Sequence, residues 1–98
     1  MVAKLVTITT ANTDTDVIAV PTNKKLKIVG VLITNRNTSD ATVEVWDGAS
    51  ATGELKLRVI VGPNESFAFN EVKPEFNTKI VVKSNLANID VVIDYEEV

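Results

Sequence analysis

The chain contains neither cysteine nor histidine. Disulfides, thiolate chemistry, the usual zinc ligand sets and the common nucleophile–base pairs are therefore excluded. Only four glycines occur, each alone, so no glycine-rich loop is available to cradle a phosphate. No apolar run approaches the roughly 18 residues of a membrane span. The segment Met1-Val2-Ala3-Lys4-Leu5-Val6-Thr7-Ile8 lacks the long apolar stretch of a signal peptide. If the natural chain starts at Met1, synthesis in the cytoplasm without signal-directed export is expected. Positive charge is also short: the net charge is −3 and the pI near 4.8. That argues against a nucleic-acid partner, which requires a concentrated basic face. Neither nucleic acid nor membrane is an expected partner, and no cofactor is implied.

What the chain has is β-branched residues. Val and Ile make up about a quarter of its 98 residues, and with Thr more than a third. Such side chains are stiff at χ1 and suit a pleated surface better than a helix. Apolar stretches alternate with turn-rich segments every 10 to 12 residues or so, the spacing of a sandwich or barrel. Strands are expected at Leu5–Thr10, Val17–Val20, Leu26–Thr34, Thr42–Trp46, Glu54–Val61, Ser66–Asn70, Lys79–Lys83 and Ile89–Tyr95, with Glu71–Asn77 irregular around Pro74. The expected fold is one all-β domain over residues 1–98. It is an antiparallel β-sandwich of about eight strands, in jelly-roll or immunoglobulin-like order. Ile28 to Ile33 is apolar at nearly every position, which predicts burial on both faces or against a second subunit. In the fifth strand Leu55, Leu57, Val59 and Val61 alternate with Lys56 and Arg58 and are expected to share one face.

Little here is suited to bond-breaking. Asp47 and Glu54 flank one turn and could face each other as a glycosidase pair does. The plainer expectation is that Asp47 opens the turn and Glu54 begins an exposed strand. Asn12, Asp14 and Asp16 offer oxygen ligands to calcium but lack the spacing of a calcium loop, so a solvated loop is expected and no metal site. Asp90 and Asp94 alternate with Ile89, Val91 and Ile93, which places them on a solvent-facing sheet surface. Lys24, Lys25 and Lys27 have no aromatic beside them to stack a base and read as edge protection. Trp46 follows the inward pair Val43 and Val45, so alternation turns it outward, to stack on a sugar, to anchor a partner or to cap the sandwich.

A set of turn and strand motifs adds a resemblance. Gly30-Val31-Leu32-Ile33-Thr34-Asn35 runs into Asn37-Thr38-Ser39, then Ala41-Thr42-Val43-Glu44-Val45-Trp46-Asp47-Gly48, and later come Ala51-Thr52-Gly53-Glu54-Leu55 and Val61-Gly62-Pro63-Asn64-Glu65-Ser66. Together these resemble small β-sandwich structural proteins of tailed phages and similar viruses, which decorate or cement capsids or form head-fibre and spike bases. The likeness covers the middle half of the chain and rests on turn chemistry and strand pattern. It carries no catalytic residue. It implies a virion structural protein on the capsid surface with the viral capsid protein as partner, assembled as a homo-oligomer, a trimer first.

Composition agrees with an assembly role. Val29, Val31, Ile33, Trp46, Ile60 and Val92 are expected at an interface between subunits, because one small sandwich cannot hide them all. The loop residues Asn35, Arg36, Asn37, Asp47 and Gly48, with the N-terminal segment, are expected to meet the capsid or neighbouring subunits. Few glycines and many branched side chains suit a rigid, thermostable module, and no enzyme is expected. The alternative is a carbohydrate-binding module or adhesin with Trp46 and Tyr95 as stacking platforms.

Overall fold

The computed structural model describes residues 2–70 and 74–98. Among the described residues it contains nine strands and no helix: β1 (Val2–Ile8), β2 (Thr15–Ala19), β3 (Leu26–Asn35), β4 (Ala41–Asp47), β5 (Glu54–Val61), β6 (Ser66–Asn70), β7 (Glu75–Phe76), β8 (Lys79–Ser84) and β9 (Ile89–Glu97). Eight of these match the expected strands to within a few residues. The ninth, β7, lies in the segment expected to be irregular, of which residues 71–73 fall outside the described part. It pairs with the start of β3, Leu26 opposite Phe76, and buries the Phe76 ring completely.

The strands form two sheets, β1-β9-β3-β6 and β2-β8-β4-β5, with β7 beside β3. The antiparallel pairs are β1 with β9, β2 with β8, β3 with β6 and β4 with β5. This is one long hairpin wrapped on itself, closed by β3–β9 and β4–β8 contacts. That order is a jelly roll and excludes the immunoglobulin arrangement, in which the two sheets read ABED and CFG. The core lies between the sheets. Ile8, Leu26, Ile28, Val31, Ile33, Val43, Val45, Ile80, Val82, Ile89, Val91 and Ile93 supply its centre.

Three bulges correct the sequence reading. In β3 the register against β9 slips between Ile28 and Gly30. Leu26 and Ile28 face inward before the slip, Val31, Ile33 and Asn35 after it. The apolar run of this strand therefore reflects a change of parity, not burial on both faces; Leu32 is left outside. In β5 a slip against β4 sets both Leu55 and Lys56 beside Trp46. Leu57, Val59 and Val61 pack on the core, whereas Leu55 does not join them. A third slip, in β2 between Asp16 and Ile18, lets Val17 reach the core.

Asparagine makes several of the turns. Asn12, Asn23, Asn64 and Asn88 all have φ between 54° and 62°, a region Asn tolerates better than most residues. At Gly62-Pro63-Asn64-Glu65 the Glu65 N–H closes on the Gly62 carbonyl at 3.2 Å. With Pro second and a positive φ third, this is the pattern of a type II turn.

Candidate interaction surface

The outward face of the β1-β9-β3-β6 sheet is built in rows, because residues paired across strands share a side. Leu5 pairs with Val92, Val92 with Leu32 and Leu32 with Ala68. One apolar row thus crosses all four strands, with Leu5 62% and Leu32 41% exposed and Val92 half-buried. On one side runs Thr7, Asp90, Thr34 and Ser66. These are tied by hydrogen bonds of 2.8 Å from Thr7 Oγ1 to Asp90 and 3.0 Å between the Thr34 and Ser66 hydroxyls, and by a 3.0 Å ion pair of Arg36 with Asp90. On the other side runs Ala3, Asp94, Gly30 and Asn70. Asp94 and Asn70 lean toward Gly30; a Cβ there would lie 3.3 Å from Asn70 Oδ1 and 3.4 Å from Asp94 Oδ2. The result is an apolar stripe between two polar borders.

The expected interface residues separate. Val92 lies in the stripe and Val29 sits half-buried in the β3 bulge beside it. Ile60 is 66% exposed on the edge strand β5, part of the other sheet. Val31 and Ile33 face the core and are sealed inside the molecule, so neither offers surface to a partner. Leu5, Leu32 and Ala68 belong to the stripe and escaped the sequence reading. For Leu32 the signal was Gly30: a lone glycine inside a strand marks a bulge, and a bulge inverts the later side chains of that strand.

Trp46 does face outward, between Val81 and Leu55, on β4 within the second sheet rather than at its edge. Its indole N–H donates to Glu44 at 3.2 Å, and Glu44 also accepts from Arg58 at 2.7 Å. Beside it the β4–β5 loop folds back over the sheet. Gly48 N–H is held by the Lys79 carbonyl at 2.9 Å. Further along, Ser50 donates to the Asp14 carboxylate through its N–H at 2.9 Å and its hydroxyl at 2.6 Å. Val81 points outward with Trp46 yet is fully buried. The Ser50 hydroxyl bond, ahead of smaller contributions from the Ser50 N–H, Lys83 and Lys79, holds the Asp14 carboxyl below its ordinary value despite some opposing desolvation. Asp14 is thus engaged by Ser50, and Asp16 by Lys79 at 3.3 Å. Among the described residues no group of three or more acidic side chains is placed to hold a metal ion.

The loop residues expected to contact a capsid mostly build the fold itself. Asn35 is completely buried; its amide donates to the Ser39, Val61 and Gly62 carbonyls at 2.8, 3.0 and 3.1 Å. Its carbonyl oxygen accepts from the Asn37 N–H and amide, both at 3.0 Å, and the Asn37 amide donates to Ala87 O at 2.7 Å. Asp47 is also buried, and its carboxylate accepts the N–H groups of Asn77 and Thr78 at 3.0 and 2.9 Å. Although Asp47 and Glu54 do pair across β4 and β5, Asp47 is committed to closing the β7–β8 turn. Gly48 is buried as well. Asn35, Asp47 and Gly48 consequently offer no surface to a partner; Arg36 and the exposed Thr38, Ser39 and Asp40 do.

Comparison with known proteins bears on the fold. No protein-family model matches the chain, and no curated protein matches it. Among solved structures it is similar to PirA, with a TM-score of 0.61 at 19% identity, over 96% of this chain and 93% of that one. It is also similar to a de novo designed double-stranded β-helix (TM-score 0.40, 16% identity, 98% of this chain and 100% of that one). A third match is to a protein of the disulfide-linked pili that form Bacillus endospore appendages (TM-score 0.43, 17% identity, 94% and 86%). The PirA likeness shows the sandwich fold; the other two superpose too loosely to add to it.

Proposed function

We propose that this protein is a structural module that works by assembly, with copies of itself and with a larger protein surface, and that it is not an enzyme. The observation that carries the reading is the apolar row Leu5–Val92–Leu32–Ala68, exposed on the outside of a sheet whose other face already supplies the core. Water-exposed leucine side chains in line with one another are stabilised by being covered. The acidic side chains that sequence offered for chemistry have structural partners instead: Asp47 holds backbone N–H groups and Asp14 holds Ser50. The finer reading is a virion structural protein that decorates or cements a capsid. It draws on the resemblance in the turn and strand motifs, and the exposed loop Arg36–Asp40 is the end it would present to the shell.

Light scattering on a size-exclusion column tests the assembly reading. A mass above the 10.6 kDa protomer that rises with loading is expected, whereas a chain that stays monomeric up to about 1 mM overturns it. The virion reading is tested separately by the neighbouring genes: a capsid or portal gene beside this one supports it, and a metabolic operon removes it.

A further inference from the structure

The core holds β1 only lightly. Five of its seven residues are exposed and Val6 is half-buried; Ile8 alone is sealed inside. Its neighbour β9 is fixed by Ile89, Val91, Ile93 and Tyr95 in the core and by β3 on its far side. β1 pairs with β9 and with no other strand. Beyond that ladder, Val6 and Ile8 pack on the core and Thr7 bonds Asp90 at 2.8 Å. Elements with little buried apolar surface open first while the rest of a fold stays intact. Among the described residues one connection, residues 9–14, joins β1 to the remaining strands.

We infer that β1 is an exchangeable strand: it leaves β9 of its own copy and pairs with β9 of a second copy, whose β1 returns the pairing. This rests on the assembly reading above and names the segment that joins the copies. The structure itself gives the fit of occupant to site. All seven residues of β1 meet β9 in unbroken register, from Val2 opposite Tyr95 to Ile8 opposite Ile89. In the exchanged pair Thr7 again faces Asp90, and Ile8 again enters a core, now the other copy's. Each copy recovers the contacts it gave up, so no new interface area is needed. The free edge of β1 is a poorer route to assembly. Lys4 pairs with the inward-facing Ile93 yet is exposed, a charge that discourages addition of a further strand. Exchange leaves Lys4 in the surroundings it already has.

The connection after β1 supplies the hinge. It crosses from one sheet to the other, since β1 and β2 are edge strands of different sheets. In the folded-back chain Asn12 has φ 56° and its N–H donates to the Ser84 carbonyl at 2.7 Å. Thr13 Oγ1 donates to the Ala11 carbonyl at 3.1 Å. Straightened, the six residues 9–14 span roughly 20 Å, enough to hand β1 to a copy lying alongside. Straightening gives up the Asn12–Ser84 bond and relieves a left-handed backbone conformation that is uncommon outside glycine. The hinge and the protein concentration therefore set the balance between closed and exchanged forms.

The chain has no cysteine, so engineered thiols report where β1 lies. Ala3 and Asp94 face each other across β1 and β9, off the apolar row. The single variants Ala3→Cys and Asp94→Cys are mixed at about 1 mM in urea below the unfolding midpoint, returned to buffer and oxidised. A disulfide-linked heterodimer is expected on a non-reducing gel. Its yield should exceed at least tenfold that from Ala3→Cys mixed with Ile60→Cys, which lies on the other sheet. In the double variant Ala3→Cys/Asp94→Cys, oxidised while dilute, β1 is locked to its own β9. Sedimentation velocity should show the locked form associating at least tenfold more weakly than the same variant reduced. Amide hydrogen exchange gives an independent reading. The amides bonding β1 to β9 are expected to exchange at least tenfold faster than those bonding β3 to β9. Equal association of locked and reduced forms, or β1 amides as slow as those of β3, overturns exchange while leaving assembly standing. A strictly monomeric protein at every concentration, with no preferred cross-link, overturns both.

Discussion

Asn35 shows how much one polar side chain can hold at the residue scale. Buried without solvent contact, it joins the ends of β3 and β5 to the β3–β4 loop, and no buried side-chain polar atom among the described residues lacks a partner. Asn35→Ala strands the Val61 and Gly62 carbonyls, at roughly 1–3 kcal/mol for each buried polar group left unpaired. A total loss of about 2–4 kcal/mol in urea denaturation is expected, against less than about 0.5 for the exposed Thr38→Ala. Asp14 gives a pH prediction of definite sign. Its folded pKa lies below the ordinary 3.8, so its contribution to stability is complete above that value and disappears as pH falls through the lower folded pKa. Ser50→Ala removes the largest cause of the depression. The variant should lose less stability than the wild type between about pH 4 and pH 2, measured as the shift in denaturation midpoint. Equal shifts would show that the Ser50 contact does not depend on the carboxylate's charge.

Among the elements, β1 is one of the two longer edge strands. Seven residues long, it pairs on one side only, with β9, and carries Val2 and Leu5 largely in water. Lys4 is the charge that keeps this edge from extending another sheet. Lys4→Val should leave the fold intact by circular dichroism yet raise light scattering and thioflavin binding on incubation, because the substituted strand reads as an uninterrupted apolar edge. A variant as soluble as the wild type would show that β1 is protected in some other way. The β4–β5 loop is tight for a different reason. A Cβ on Gly53 would fall 2.3 Å from the Asp47 carbonyl oxygen and 2.7 Å from that of Ala49, so only glycine allows the loop to close. The motif Ala51-Thr52-Gly53 is thus read as a turn from sequence, while the reason it must contain glycine is visible only once Asp47 and Ala49 are placed around it.

For the molecule as a whole, the wrapped hairpin makes the last strand central. β9 lies between β1 and β3 and contributes Ile89, Val91, Ile93 and Tyr95 to the buried core. A chain ending at Asn88 should therefore be unfolded, with random-coil amide dispersion, since it leaves β1 without a neighbour and opens one wall of the core. A folded truncated chain would mean that β1 can pair directly with β3. Because every strand pairing among the described residues except β4 with β5 joins segments distant in the chain, folding should also be slow for so short a chain.

Local chemistry determined a good deal of this protein without help from the tertiary structure. Branched side chains at alternate positions specify strands, Asn-, Pro- and Gly-rich segments specify the turns between them, and the lack of His and Cys removes whole classes of chemistry; each is a property of residues and their near neighbours. Which way the strands of β3 and β5 face, and hence which apolar residues stay in water, was decided by register slips that depend on partner strands far away in the chain. The same holds for Asn35 and Asp47, whose types suit a loop tip but whose partners Val61 O, Gly62 O, Asn77 N–H and Thr78 N–H arrive from residues 26 to 31 positions later. Periodicity can mark a strand, but only the pairing of remote segments decides which of its faces meets the core.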